Sequence, residues 1–125
     1  MKILVIDDDP LVRRTVEKIV QRAGHEVHVA GDGRRGMALF RQQRPDLVIT
    51  DVIMPEQEGL GTIMMIRREQ PDAKIIVISG GGRMGNLNVL EAAEQLGADR
   101  VVAKPFDPTA LLDLVRELAP SESVE

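Results

Sequence analysis

Leu47-Val48-Ile49-Thr50-Asp51 is an apolar run that ends on a carboxylate, with Pro45-Asp46 before it and Val52-Ile53-Met54-Pro55 after it. A run this short, bounded by turn formers, predicts a buried parallel strand rather than a helix. Asp51 then sits at the strand's carboxyl end. Three further runs finish on polar residues in the same way: Ile3 to Ile6 on Asp7-Asp8, Ile75 to Ile78 on Ser79, and Val101 to Ala103 on Lys104. In an open parallel sheet all strands point one way, so these residues share one edge, the edge at which such sheets bind ligands.

The segments between the runs read as helices. After Asp7-Asp8-Asp9, an aspartate cap and Pro10 open a helix with Leu11, Val12, Thr15, Val16, Ile19, Val20 and Ala23 inward. Arg13, Arg14, Glu17, Lys18, Gln21 and Arg22 fall on its outer face, and Gly24 ends it. His25 to Ala30 alternates, with Val27 and Val29 on one side, as a short edge strand with surface histidines. Asp32-Gly33 turns the chain into a second helix over Met37 to Phe40. Pro55 to Gly61 reads as a loop, followed by a third helix over Ile63 to Ile66 in which Met64 and Met65 are core packing. Gly80-Gly81-Gly82 opens a mobile connection into a fourth helix carrying Leu87, Leu90 and Ala93. Asp107 and Pro108 start the last helix, with Leu111, Leu112, Val115 and Leu118 inward. The expected domain is 1–119, with 120–125 a frayed tail. Right-handed connections between alternating strands and helices place helices on both faces of the sheet. The expected fold is α/β, a doubly wound five-stranded parallel sheet of flavodoxin-like (βα)5 type with strand order 2-1-3-4-5.

Composition bounds the function. A chain of 125 residues, 43% apolar and 29% charged, fits one folded domain with one core. Phe40 and Phe106 are its only aromatic residues, which leaves little on which to stack bases or a flavin. Sixteen Lys and Arg against twenty Asp and Glu, scattered in pairs, make no nucleic-acid footprint. The lack of cysteine excludes thiol chemistry. Neither a signal peptide nor a run of membrane-spanning length is visible, so we expect a cytoplasmic protein without membrane partners.

With strands 1 and 3 adjacent at the switch point, Asp7, Asp8 and Asp51 converge in one crevice. Carboxylates this close need protons or a cation, and a cluster of hard oxygen ligands with room for water suits Mg²⁺. A metal, the Lys104 ammonium and the Ser79 hydroxyl around one exposed carboxylate make a machine for phosphoryl transfer. Asp51 would be the nucleophile, becoming an acyl phosphate. Mg²⁺ held by Asp8, Asp51 and a backbone carbonyl would bind one phosphoryl oxygen, Lys104 a second, and Ser79 with nearby amides a third. The charge added to Asp51 could then draw Ser79 and its glycine loop inward, which would be a switch.

Taken singly these residues have ordinary structural readings. Asp51 before Pro55 can form a turn, Asp7 to Asp9 can cap a helix, Ser79 can end a strand, and Lys104 can be solvated. Their order is what counts. Asp7-Asp8, Asp51 with Met54-Pro55, Ser79-Gly80 and Lys104-Pro105-Phe106 together resemble the receiver domain of bacterial two-component response regulators, over nearly the whole chain. The resemblance implies Mg²⁺-dependent phosphotransfer to Asp51 from a histidine kinase, a phosphotransfer protein or a small acyl phosphate. The implied metal set is Asp7, Asp8, Asp51 and the backbone carbonyl of Ile53. It also implies a cis Lys104-Pro105 peptide and a downstream protein target bound by the face made of helix 4, strand 5 and helix 5.

Three departures from the family pattern stand out. Val101 occupies a position where similar proteins carry an aromatic switch residue, so coupling would run through backbone and loop movement. Ile53 and Gly81 stand where similar proteins govern water access to the acyl phosphate, and the triple glycine is unusual. The expected function is a phosphorylation-controlled binding or phosphorelay module, monomeric or weakly dimeric, and not a turnover enzyme. It is either a single-domain regulator or the receiver of a longer DNA-binding regulator or hybrid kinase. A phosphatase with an aspartyl nucleophile is the alternative suggested by Asp7-x-Asp9, but little chain remains for a substrate cap. A flavin carrier on the same fold is disfavoured by the missing aromatics.

Overall fold

The computed structural model describes residues 1–51, 58–79, 94–95, 97–103 and 106–118. Its sheet comprises β1 (Lys2–Ile6), β2 (Glu26–Ala30), β3 (Leu47–Asp51), β4 (Lys74–Ser79) and β5 (Arg100–Ala103). All neighbours are parallel, in the order β2-β1-β3-β4-β5. The helices are α1 (Pro10–Arg22), α2 (Gly33–Gln43), α3 (Glu58–Glu69) and a C-terminal helix (Pro108–Leu118). This is the doubly wound α/β fold expected from the pattern.

The apolar runs are continuous because both sides of each strand are covered. Leu4, Ile6, Val48, Ile75 and Val77 meet Met37 and Phe40 of α2 and Ile63 and Ile66 of α3 on one face. Ile3, Val5, Ile49, Ile76 and Ile78 meet Val16 and Val20 of α1 and Leu111 and Val115 of the C-terminal helix on the other. Asp9 caps α1 by accepting from the Leu11 and Val12 amides, and Asp32 caps α2 by accepting from the Arg35 amide. Asp107 accepts from the Thr109 amide ahead of the C-terminal helix. Gly24, at φ +97°, follows α1 and meets its expected role as terminator.

Several expectations require correction. α3 begins at Glu58, so the expected loop through Gly61 is already helical in its second half. Met64 and Met65 are 46% and 41% exposed, not core: Ile63 and Ile66 take the inward direction, and the two residues between them turn outward on a 3.6-residue period. Leu11 is 73% exposed and Thr15 and Ala23 are also outside, so the buried stripe of α1 narrows to Val16 and Val20 with Val12 and Ile19 beside it. Ala38 of α2 is exposed as well, whereas Gly33 and Gly36 are buried. His28 of β2 and His25 just before it are half-buried rather than fully at the surface. His25 Nδ1 lies 3.0 Å from the amino-terminal nitrogen, and burial together with that charge holds its imidazole below the ordinary pKa. His28 Nε2 lies 2.7 Å from Glu26.

Candidate functional site

Ladder register builds the site. Ile6 pairs with Thr50 across β1 and β3, so the next residues, Asp7 just past β1 and Asp51 at the last position of β3, stand at the same level. Beyond Asp7 the chain turns directly into α1, which keeps Asp8 at that edge. The carboxylates of Asp7, Asp8 and Asp51 each place an oxygen within 4.8 Å of the others. Asp7 and Asp51 are buried, at 2% and 4% exposure, and Asp8 is exposed. Asp51 is therefore not the exposed carboxylate expected of it, because β3 is central and helices cover both of its sides. Solvent reaches the triad from the Asp8 side.

The Asp7–Asp9 turn is fastened to its surroundings. The Asp7 amide donates to the Ala30 carbonyl at 3.1 Å, continuing the β1–β2 ladder one step past the strand. The Asp9 amide donates to Asp7 Oδ1 at 2.9 Å. Arg13 Nη1 donates to the Asp7 carbonyl at 2.9 Å. On β3, the buried Thr50 hydroxyl donates to the Asp51 carbonyl at 3.2 Å. Asp9 is thus a cap, and Arg13, placed by periodicity on the outer face of α1, turns back over the site. Helical spacing carried no signal for this, since a solvated arginine and one folded back onto the preceding turn look alike in sequence.

Two buried carboxylates facing a third are a costly arrangement without positive charge. Hard oxygen donors on one open side fit a small divalent cation that keeps part of its water shell, and Asp7, Asp8 and Asp51 are the side chains able to hold it. Ser79 ends β4 opposite Ala103 of β5, which puts both strand ends on the acidic edge. The Ser79 side chain, the Ile53 carbonyl, the Gly80–Gly82 connection, the fourth helix and the Lys104-Pro105 peptide lie outside the described residues. Val101 is half-buried against the α2/α3 core. A separate cleft of about 380 Å³ opens between α2 and α3 beside Met37, Thr62 and Met65. Its apolar lining lacks the converging acids of the sheet edge.

This topology and acidic edge define a class of signalling domain. Residues 3–116 match the response regulator receiver domain family, and the chain belongs to it, a family of two-component systems. It is 32% identical over 119 residues to the chemotaxis protein CheY of Thermotoga maritima, covering 94% of this chain and 97% of that protein. It is 37% identical over 117 residues to the probable transcriptional regulator ycf27 of Cyanophora paradoxa, covering 94% of this chain and 47% of that protein. Across six ycf27 relatives the chain spans 44–47% of their length. Among solved structures, the receiver domain of NtrX from Brucella abortus superposes with a TM-score of 0.86 at 29% identity, covering 93% of this chain and 96% of that one. Among the described residues no helix is long and apolar enough to cross a membrane.

Proposed function

We propose that this receiver domain accepts a phosphoryl group on Asp51 and signals through the altered protein contacts that follow. One observation carries the reading: Asp51 lies at the end of the central strand with an oxygen within 4.8 Å of the Asp7 and Asp8 carboxylates. An Asp51 carboxylate oxygen forms the new P–O bond while the bond from phosphorus to the donor breaks. That bond is P–N in a phosphohistidine and P–O in an acyl phosphate. The departing imidazole or carboxylate keeps the electron pair, and the imidazole takes a proton from water. Asp7, Asp8 and Asp51, with the Ile53 carbonyl, would hold Mg²⁺, which supplies positive charge against the phosphoryl oxygens. Lys104 and Ser79 would take the remaining oxygens. Burial of Asp51 limits water at the reacting oxygen, and the exposed Asp8 side is the approach for the donor.

A histidine kinase or phosphotransfer protein, or a small acyl phosphate, is the donor this chemistry accepts. The output surface is the face made by the fourth helix, β5 and the C-terminal helix. Val101 has no ring to rotate, so backbone and loop displacement must carry the signal. Self-phosphorylation and hydrolysis of its own acyl phosphate are the whole of its chemistry. Its span of under half the ycf27 regulators favours a second reading of context, the receiver part of a longer transcriptional regulator.

Intact-protein mass after incubation with acetyl phosphate and Mg²⁺ is the test. Wild type gains the mass of one phosphoryl group, while Asp51→Asn and an EDTA-treated sample do not. Labelling retained in Asp51→Asn would sink the assignment.

A further inference from the structure

We propose that Arg13 is a positioning residue for the acidic edge: it pins the carbonyl of Asp7 and so fixes the turn that aims the Asp7 and Asp8 carboxylates at a bound cation. This rests on the reading of Asp7, Asp8 and Asp51 as a divalent-metal site. Where the chain leaves β1, the Asp7 amide still finds a ladder partner in Ala30, and the Asp7 carbonyl accepts from Arg13. Arg13 supplies the donor there, at 2.9 Å, in a charge-assisted bond. The same residue's amide donates to the Asp9 carbonyl at 2.9 Å. That amide bond is the first turn of α1, so the guanidinium is what ties the helix back to Asp7. Because the bonded carbonyl belongs to the Asp7–Asp8 peptide, holding it sets the plane from which the Asp8 side chain departs.

Gly31 is an independent sign that this guanidinium is seated. A Cβ built on Gly31 would lie 3.0 Å from Arg13 Nη1 and 3.8 Å from Cζ, so the group passes directly over the backbone at the end of β2. A methyl group there would press on the guanidinium and shift it by about a few tenths of an ångström. The half-buried Arg13 contrasts with its exposed neighbour Arg14, which has the same chemistry and no such seat.

Positioning and simple charge predict opposite signs. A guanidinium acting only through its charge repels Mg²⁺, so its removal would tighten binding. A guanidinium that orients the ligands loses affinity on removal, by about 10-fold or more for an outer partner of metal ligands. The experiment is Mg²⁺ titration by calorimetry, without phosphoryl donor and at constant ionic strength, for wild type, Arg13→Met, Arg13→Lys and Gly31→Ala. The expected result is weaker binding in Arg13→Met, partial recovery in Arg13→Lys, and a smaller loss in Gly31→Ala. Should Arg13→Met fail to fold, Arg13→Lys carries the test, since it keeps the charge and loses the guanidinium that reaches the Asp7 carbonyl. Unchanged or tighter binding in the folded variants overturns the inference and leaves the metal site standing. Absence of Mg²⁺ binding by wild type overturns the metal reading itself.

Discussion

Gly36 sits on the buried side of α2 against Ile6, the residue that precedes Asp7. A Cβ there would come within 2.5 Å of Ile6 Cδ1 and 2.9 Å of Cγ1, and Ile6 is fully buried with nowhere to retreat. Overpacking of this kind costs about 1–3 kcal/mol, against a helix-propensity gain from Gly to Ala of up to about 1 kcal/mol. We expect Gly36→Ala to lower stability by about 1–2 kcal/mol, read as a lower urea midpoint at unchanged slope. A raised midpoint would mean that β1 shifts without cost. At Asp7, Asp8 and Asp51 the sequence was informative because each ends a short apolar run. At Arg13, Gly31 and Gly36 it was silent, because what matters there is the neighbour that folding brings close.

Among the elements, the join between α3, β4 and β5 is tied by Arg67 and Asp99. Arg67, near the end of α3, donates to the carbonyls of Pro71 and Ala73 at 2.6 Å, to the Gly97 carbonyl, and to Asp99 Oδ2 at 3.2 Å. The same Asp99 oxygen accepts the Ile75 amide at 2.8 Å at the start of β4. Gly97, at φ +120°, approaches so closely that a Cβ would lie 2.9 Å from Arg67 Nε. This cluster stands at the strands' starting end, opposite the acids. Asp99→Ala leaves the Ile75 amide and the Arg67 guanidinium short of an acceptor, a loss of about 1.5–3 kcal/mol for hydrogen bonds to a charged group. Urea unfolding should show that loss while acetyl phosphate labelling of Asp51 persists; lost labelling in a folded variant would tie the clamp to the site. The strands, an aspartate cap ahead of Pro10 and the cap Asp107 were legible from sequence because strand runs and caps are local signals, whereas Asp32 read only as a turn. Helix faces were less so: Leu11, Met64 and Met65 are apolar yet outside, and only the partner surface decides which part of an apolar stripe is covered.

For the molecule as a whole, a cation bound by the folded site and not by the unfolded chain must stabilise the fold. At Mg²⁺ one hundred times its dissociation constant the gain is about 2.7 kcal/mol. Thermal unfolding should therefore shift upward with Mg²⁺, return with EDTA, and shift less in Asp51→Asn, which has one carboxylate fewer. A wild-type midpoint indifferent to saturating Mg²⁺ would contradict the metal site. The (βα)5 order and the edge carrying the acids could be read from the sequence, since hydrophobic periodicity is a one-dimensional property and parallel strands ending on polar residues must end on one side. The convergence of Asp7, Asp8 and Asp51 was likewise expected, and their oxygens lie within 4.8 Å of one another, but the burial of Asp51 and the return of Arg13 onto the Asp7 carbonyl emerged only once the chain was folded. Those depend on register, sheet twist and the covering of a central strand from both faces, which no stretch of sequence carries locally.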